Sequence, residues 1–331
     1  MKQLVALILC LAAAAASADP VDQVLDVHVL PGFARLADET ALLANAADAG
    51  CEERDPDLRA ALNGALRAWA GVSHLRFGPT EAENRAFALA FWPDSRGMTP
   101  KALAGLIAAE DPVVQEAEGF AQVSVAARGL YALEFLLYDE GQAGNDPYHC
   151  ALIRAIVRDS AGLARAMAAD WHDRYAALMR APGPDSPYRS RDEAMQELFK
   201  ALGTGLQITA DLRLGRPLGS FARPRPNRAE AWRAGLSLLL VIEALHSQRQ
   251  LALLLAEEDA GLKARLTDAF DRALGDAAAL DDPALAGVAT PAGRFRVEAL
   301  QQRVNEIRQV VAQELGPKLG VSAGFNALDG D

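Results

Sequence analysis

The stretch Arg128-Gly129-Leu130-Tyr131-Ala132-Leu133-Glu134-Phe135-Leu136-Leu137-Tyr138 decides how this chain reads. Its apolar side chains run all round a helix, the pattern of a segment inside a protein core, and one carboxylate sits among them. A buried carboxylate without a partner is costly, so Glu134 needs a cation, a ligand or a proton. On this helix Arg128, Tyr131 and Glu134 follow at offsets of three and share a face. That face combines a cation, a phenolic hydroxyl and an acceptor, which predicts a polar pocket in which the arginine or a bound cation keeps Glu134 ionised. An arginine that merely pairs with a structural glutamate fits the same spacing.

Outward from this stretch, the chain reads as helix after helix. Asp55-Pro56, Thr99-Pro100 and Asp111-Pro112 each place a capping side chain before a proline, a pairing suited to helix starts. The last of these predicts the beginning of the helix that carries Tyr131 and Glu134. Apolar spacing predicts further helices over 21–47, where Pro31-Gly32 should kink or restart the helix, and over 56–77, 80–91, 147–179 and 191–214. Asn227-Arg228-Ala229-Glu230 reads as a capping box for a helix running to about Leu255, and two more helices follow over 259–274 and 293–315. Period-two alternation between turn signals does not persist anywhere. The fold class is therefore all-α, with two helical-bundle-like domains, 19–180 and 191–331, joined by the proline-containing segment 181–190.

Lys2, the apolar run Leu4 to Ala16 and the small-residue site Ala16-Ser17-Ala18 make residues 1–18 a secretory signal, too short an apolar run to span a bilayer comfortably. Cys10 suggests lipidation only weakly, since Leu9 stands where a small residue is wanted. Later in the chain, Leu236 to Leu245 is strongly apolar but interrupted by Glu243, so no transmembrane span is expected after cleavage. Export leaves Cys51 and Cys150, which an oxidising compartment favours as a disulfide. The formal charge of −11 argues against a nucleic-acid partner. Zinc-protease H-E-x-x-H, phosphate-loop, G-x-S-x-G and C-x-x-C motifs are all missing.

Other candidate residues are scattered. His28 lies on the first helix and His74 ends the second, each either a ligand or an ordinary hydrogen-bonded histidine. Trp92-Pro93-Asp94 makes an aromatic and acidic corner. Arg223, Arg225, Arg228 and Arg233 form a basic patch, either solvated or facing an anionic ligand.

Taken in order, His28-Val29-Leu30-Pro31-Gly32-Phe33, His74-Leu75-Arg76-Phe77-Gly78-Pro79, Phe91-Trp92-Pro93-Asp94, the 124–134 stretch and Arg225 to Leu238 resemble the periplasmic branch of the imelysin-like family. The 124–134 stretch resembles that family's G-x-H-x-x-E signature at Gly129 and Glu134, with Tyr131 in place of the histidine. The resemblance implies a periplasmic, all-helical protein with a pocket near a domain interface and a link to iron or metal acquisition. The ligand would be a small molecule or a metal species, and another envelope protein a further partner. The cofactor is not named by the sequence, a metal ion such as iron being the candidate. The pocket is expected to use Arg128, Tyr131, Glu134, His28, His74, Trp92 and Arg233, with Tyr131 and Glu134 as the metal-facing pair. A phenol binds ferric iron only when deprotonated, so Tyr131 weakens the metal reading. The competing readings are a metallopeptidase using Glu134 and nearby histidines, and a structural envelope protein whose polar core fixes helix register.

Overall fold

Asp19, Asp55 and Asp146 each accept from the backbone of the turn that follows, Asp19 from one N–H and the others from two, and each stands directly before a proline. The carboxylate satisfies donors that a helix start leaves free, and proline lacks only an N–H that would be free there anyway. In the computed structural model, which describes residues 19–321 except 53, 140, 142, 143, 145 and 258, these starts organise the N-terminal half. The signal-like segment 1–18 lies outside the described residues. Helix α1 (Pro20–Val24) passes through a π turn at Leu25–Val29 into α2 (Leu30–Ala49), and α3 (Pro56–Val72) follows.

Pro31 does not restart the first helix. Its missing N–H leaves the Val27 carbonyl without a helical donor, the π turn lies just before it, and Gln250 Nε2 donates to Val27 O at 3.4 Å. Beyond α3 come α4 (Arg85–Leu89) and α5 (Met98–Ala109). Thr99 is not the cap of α5. Gly97 stands at the cap position, and Asp94 supplies the acceptors, taking Met98 N at 2.9 Å and Thr99 N at 2.8 Å.

Asp111-Pro112 opens only a 3₁₀ turn, Pro112–Gln115, followed by the short α6 (Ala117–Phe120) and a second 3₁₀ turn at Val125–Ala127. The helix of Tyr131 and Glu134 is separate: α7 (Gly129–Tyr138). The chain continues through α8 (Pro147–Asp170), a π turn and α9 (Ala176–Arg180) to the 181–190 loop. Then come α10 (Arg191–Gln207), a π segment at Ile208–Leu214 and α11 (Gly215–Leu218).

The Asn227–Glu230 capping box does not form. A 3₁₀ turn at Pro226–Arg228 leads into tight turns, and α12 begins at Ser237 and runs to Leu255. Helices α13 (Ala260–Ala278), α14 (Pro291–Val310) and α15 (Gly316–Lys318) close the described chain. No strand occurs among the described residues.

Helix α2 packs against both α3 and α8, while α12 packs on α3, α10 and α13. On α3 the buried Leu58, Leu62, Leu66, Trp69 and Val72 recur at three to four residues, the stripe that lets one helix face two neighbours. Buried side chains from both sides of the 181–190 loop form one contiguous cluster. Among the described residues α12 alone is long and apolar enough to cross a membrane, but it lies in this core with Gln248 buried and Glu243 paired to Arg67. Cys51 and Cys150 are joined in a disulfide that ties the α2–α3 loop to the first turn of α8.

Candidate functional site

Gly129 positions the site. It starts α7 with φ +76°, a backbone setting that disfavours any side chain, and a Cβ there would come 2.2 Å from Leu89 O. The glycine lets α7 press against the end of α4. Arg128 precedes it in extended conformation as the capping residue, so it does not share the helical face of Tyr131 and Glu134. Its guanidinium turns to α8 instead, bonding Asp159 through two nitrogens at 2.9 and 2.7 Å and Ala121 O at 2.6 Å. The expected Arg128–Glu134 neighbourhood is thus corrected: the helix begins one residue too late to bring the two together.

Glu134 is supplied with partners from the turn after Glu230. Its Oε1 accepts from Arg233 N at 3.0 Å and Ala234 N at 3.2 Å. Burial raises its pKa to about 7, against the opposing pull of Arg233 and these amides. Burial therefore draws the carboxyl towards its neutral form, opposite in direction to the ionised group expected from the sequence. The Arg233 side chain leans away, over the Phe135 ring at 3.6 Å and the Trp232 ring at 4.5 Å, with Nε on Asp139 at 2.8 Å.

Beside it lies a second buried pair. Arg213 Nε donates to Glu230 Oε2 at 2.5 Å, Nη2 to Ser73 Oγ at 3.0 Å, and Nη1 to Thr209 Oγ1 at 3.5 Å. Tyr131 donates its hydroxyl to the other Glu230 oxygen. Burial, then the Glu230 charge, pushes the Tyr131 phenol well above its ordinary pKa.

These residues line two adjoining clefts that share Trp92 and Tyr131. One, of about 220 Å³, contains Glu134, Asp94, Trp232 and Arg233; the other, of about 190 Å³, contains Arg213 and Glu230. Of the residues expected from the sequence, Tyr131, Glu134, Trp92 and Arg233 meet here. His28 and His74 do not. They pair with each other, Nε2 to Nε2, at 3.0 Å, and His28 Nδ1 meets Gln250 Oε1 at 2.8 Å. Gln250 is oriented by the carbonyl that Pro31 frees, so its oxygen accepts from His28 Nδ1. His28 Nε2 is then the acceptor and His74 Nε2 the donor. Burial lowers the pKa of both rings, and at His74 the His28 and Arg213 charges add to the effect. His28 opens instead on a cleft of about 410 Å³ beside Glu243 and His246.

Sequence reasoning missed Arg213 and Arg216, and took Glu230 for a helix cap. The signal for Arg213 is a lone cation within the apolar run Ile208–Leu214. Nothing local marks Arg216, which lines the Glu134 cleft.

The Imelysin family model matches residues 29–311. The chain belongs to the imelysin family. Its fold is that of an imelysin-like protein from Psychrobacter arcticum 273-4, with TM-score 0.76 and 21% identity over 92% of this chain and 96% of that one. It is also similar to a "putative iron-regulated protein A precursor" from Parabacteroides distasonis ATCC 8503, with TM-score 0.71 and 15% identity over 88% and 93% of the two chains. At these identities the likeness shows the fold alone. No curated protein matches the sequence.

The donors around Tyr131 do not suit a metal ion. The Tyr131 hydroxyl is committed to Glu230 and held protonated. One oxygen of Glu134 serves two amides, and both oxygens of Glu230 are engaged. Among the described residues, no three of His, Cys, Asp or Glu are grouped to hold an ion.

Proposed function

We propose that this imelysin is a periplasmic binding protein that takes a small organic ligand in the cleft between α7 and the 227–233 segment. The observation that carries this reading is Glu134. It is a buried carboxyl in the lining of the cleft with one oxygen fixed by two amides, while Oε2 makes no hydrogen bond among the described residues. With a pKa of about 7, that free oxygen either donates to a ligand or accepts from one. Phe91, Trp92, Phe135 and Trp232 supply apolar walls around it. Aromatic walls with polar and charged groups converging between them, Asp94, Glu134, Arg216 and Arg228 among them, make a ligand site. The volume of about 220 Å³ lies below the roughly 300–1,000 Å³ of clefts for drug-sized molecules, so the ligand is small.

The periplasmic assignment rests on the signal-like residues 1–18 and on a disulfide suited to an oxidising compartment. The Parabacteroides relative is described as iron-regulated. Carried to this chain, that suggests a role in iron acquisition exercised through an organic ligand, since the donors do not suit a bare ion. The peptidase alternative needs a metal-held water or an activated nucleophile; Tyr131 is committed to Glu230, and no three of His, Cys, Asp or Glu among the described residues are grouped to hold a metal.

Native mass spectrometry of the protein released from its own cell envelope tests the proposal. A small organic adduct is expected on the wild type and absent from Trp232→Ala. An adduct equally present in that variant, or chelator-sensitive peptide cleavage that Glu134→Gln abolishes, overturns it.

A further inference from the structure

Around the Glu134 cleft the carboxylates and arginines are not all paired with one another. Each carboxylate there is engaged. Asp94 accepts from the backbone of Arg96, Met98 and Thr99. Glu134 accepts from the Arg233 and Ala234 amides, and Glu230 holds Arg213 and Tyr131. Arg233 is satisfied by Asp139 and two aromatic rings.

Two cations in the lining are left over. Arg216 reaches only the Ser95 hydroxyl, at 3.4 Å, and its Nε is buried with no acceptor. Arg228 is exposed, and its guanidinium has no partner among the described residues. The two are near enough that Arg228, after burial itself, lowers the Arg216 pKa. In a chain of net charge −11 most buried or half-buried arginines have found carboxylates. Like charges left facing one cleft cost stability, and such a cost persists where a ligand removes it.

We infer that Arg216 and Arg228 form the oxyanion subsite of this cleft, so that its ligand is a small, flat molecule bearing a carboxylate or a phosphate ester. The guanidinium fork suits either group through paired hydrogen bonds. The flat body lies against Trp92 and Trp232, which line the same cleft. This rests on the reading of the cleft as a ligand site but assigns its charge preference separately.

Benzoate, phenyl phosphate and the uncharged isostere benzamide serve as probes, with binding followed by calorimetry and by tryptophan fluorescence. In the wild type, at least one of the two anions is expected to bind ten or more times more tightly than benzamide. A preference for benzoate assigns a carboxylate, and one for phenyl phosphate assigns a phosphate ester. Arg216→Gln and Arg228→Gln should each erase that ratio, whereas the exposed Arg223→Gln should leave it intact. Arg228→Gln lies on a surface 3₁₀ turn and is expected to fold. Without ligand it should melt no lower than wild type, because removing it relieves repulsion, a result that a purely structural arginine would not give. Benzamide binding as well as both anions, with Trp232→Ala abolishing all three, keeps the ligand site and overturns the oxyanion assignment. A ratio that survives both arginine substitutions, or no binding of any probe, also overturns it.

Discussion

Replacing Glu230 with alanine tests the buried network most directly. Its side chain is 3% exposed and that of Arg213 is 2% exposed, so water cannot take over for either when the other is lost. In Glu230→Ala, Arg213 retains only neutral partners, the hydroxyls of Ser73 and Thr209, and Tyr131 loses its acceptor. Breaking a buried ion pair by removing one member costs about 3–5 kcal/mol. A stranded hydroxyl donor costs about 1–3 kcal/mol more, though the two overlap because they share one carboxylate. The expected loss is therefore about 4–6 kcal/mol, read from urea unfolding followed by far-UV circular dichroism with the disulfide intact. The corresponding fall in melting temperature is roughly 10 °C. Replacing both partners, Arg213→Met with Glu230→Met, should recover most of the loss, since an apolar pair of similar volume often substitutes for a buried ion pair. A loss below about 1 kcal/mol for Glu230→Ala, or a double variant no better than the single, would refute the claim that the pair is sealed.

Three further outcomes follow from the same geometry. Raising the Glu134 pKa from 4.5 to about 7 means the folded state holds a proton that the unfolded state has released, so its contribution is fully present below pH 4.5 and is lost as pH rises through 7. Wild type should lose about 3 kcal/mol relative to Glu134→Gln across that window, and parallel stability profiles for the two would contradict the raised value. Reducing the Cys51–Cys150 bond, which spans 99 residues, should lower stability by about 4–5 kcal/mol, seen as a shifted urea midpoint; an unshifted midpoint would mean that the bond does not restrain the unfolded chain. Gly129→Ala should cost well over 2 kcal/mol or prevent folding, whereas Gly97→Ala, at φ +62° with nothing within 4 Å, should cost only about 1 kcal/mol; equal costs on thermal melting would show that the α4–α7 contact is not tight.

The helical class and the disulfide are legible because they depend on local patterns and on composition. Asp55-Pro56 and Pro147 mark true helix starts, since the capping carboxylate, the proline and the apolar stripe that follows act within a few residues of one another. The same reasoning fails at Asp111-Pro112, where the local signal is satisfied by a single 3₁₀ turn, and the chain then bends repeatedly before Gly129. The shared face expected for Arg128, Tyr131 and Glu134 fails with it. Offsets of three mean neighbourhood only inside one helix, and the positive φ of Gly129 puts the helix boundary between Arg128 and Tyr131.

The Asn227–Glu230 box fails for a different reason, and it explains why the site is only half visible in the sequence. A capping glutamate gains a modest local hydrogen bond, worth about 1 kcal/mol. A lone arginine in an apolar segment that ends up buried incurs several times that without a counter-charge. Arg213 lies in such a segment, seventeen residues before Glu230, and its need for a counter-charge outweighs the cap. Glu230 turns inward, the helix start is deferred to Ser237, and the freed backbone of Arg233 and Ala234 is left facing Glu134. An isolated charge in an apolar run, Arg213 as much as Glu134, is thus the sequence signal that a polar core exists. Which residues complete it is set by the packing of α7, the Ile208–Leu214 segment and the turn at 229–235, because each buried charge takes its partner from another element.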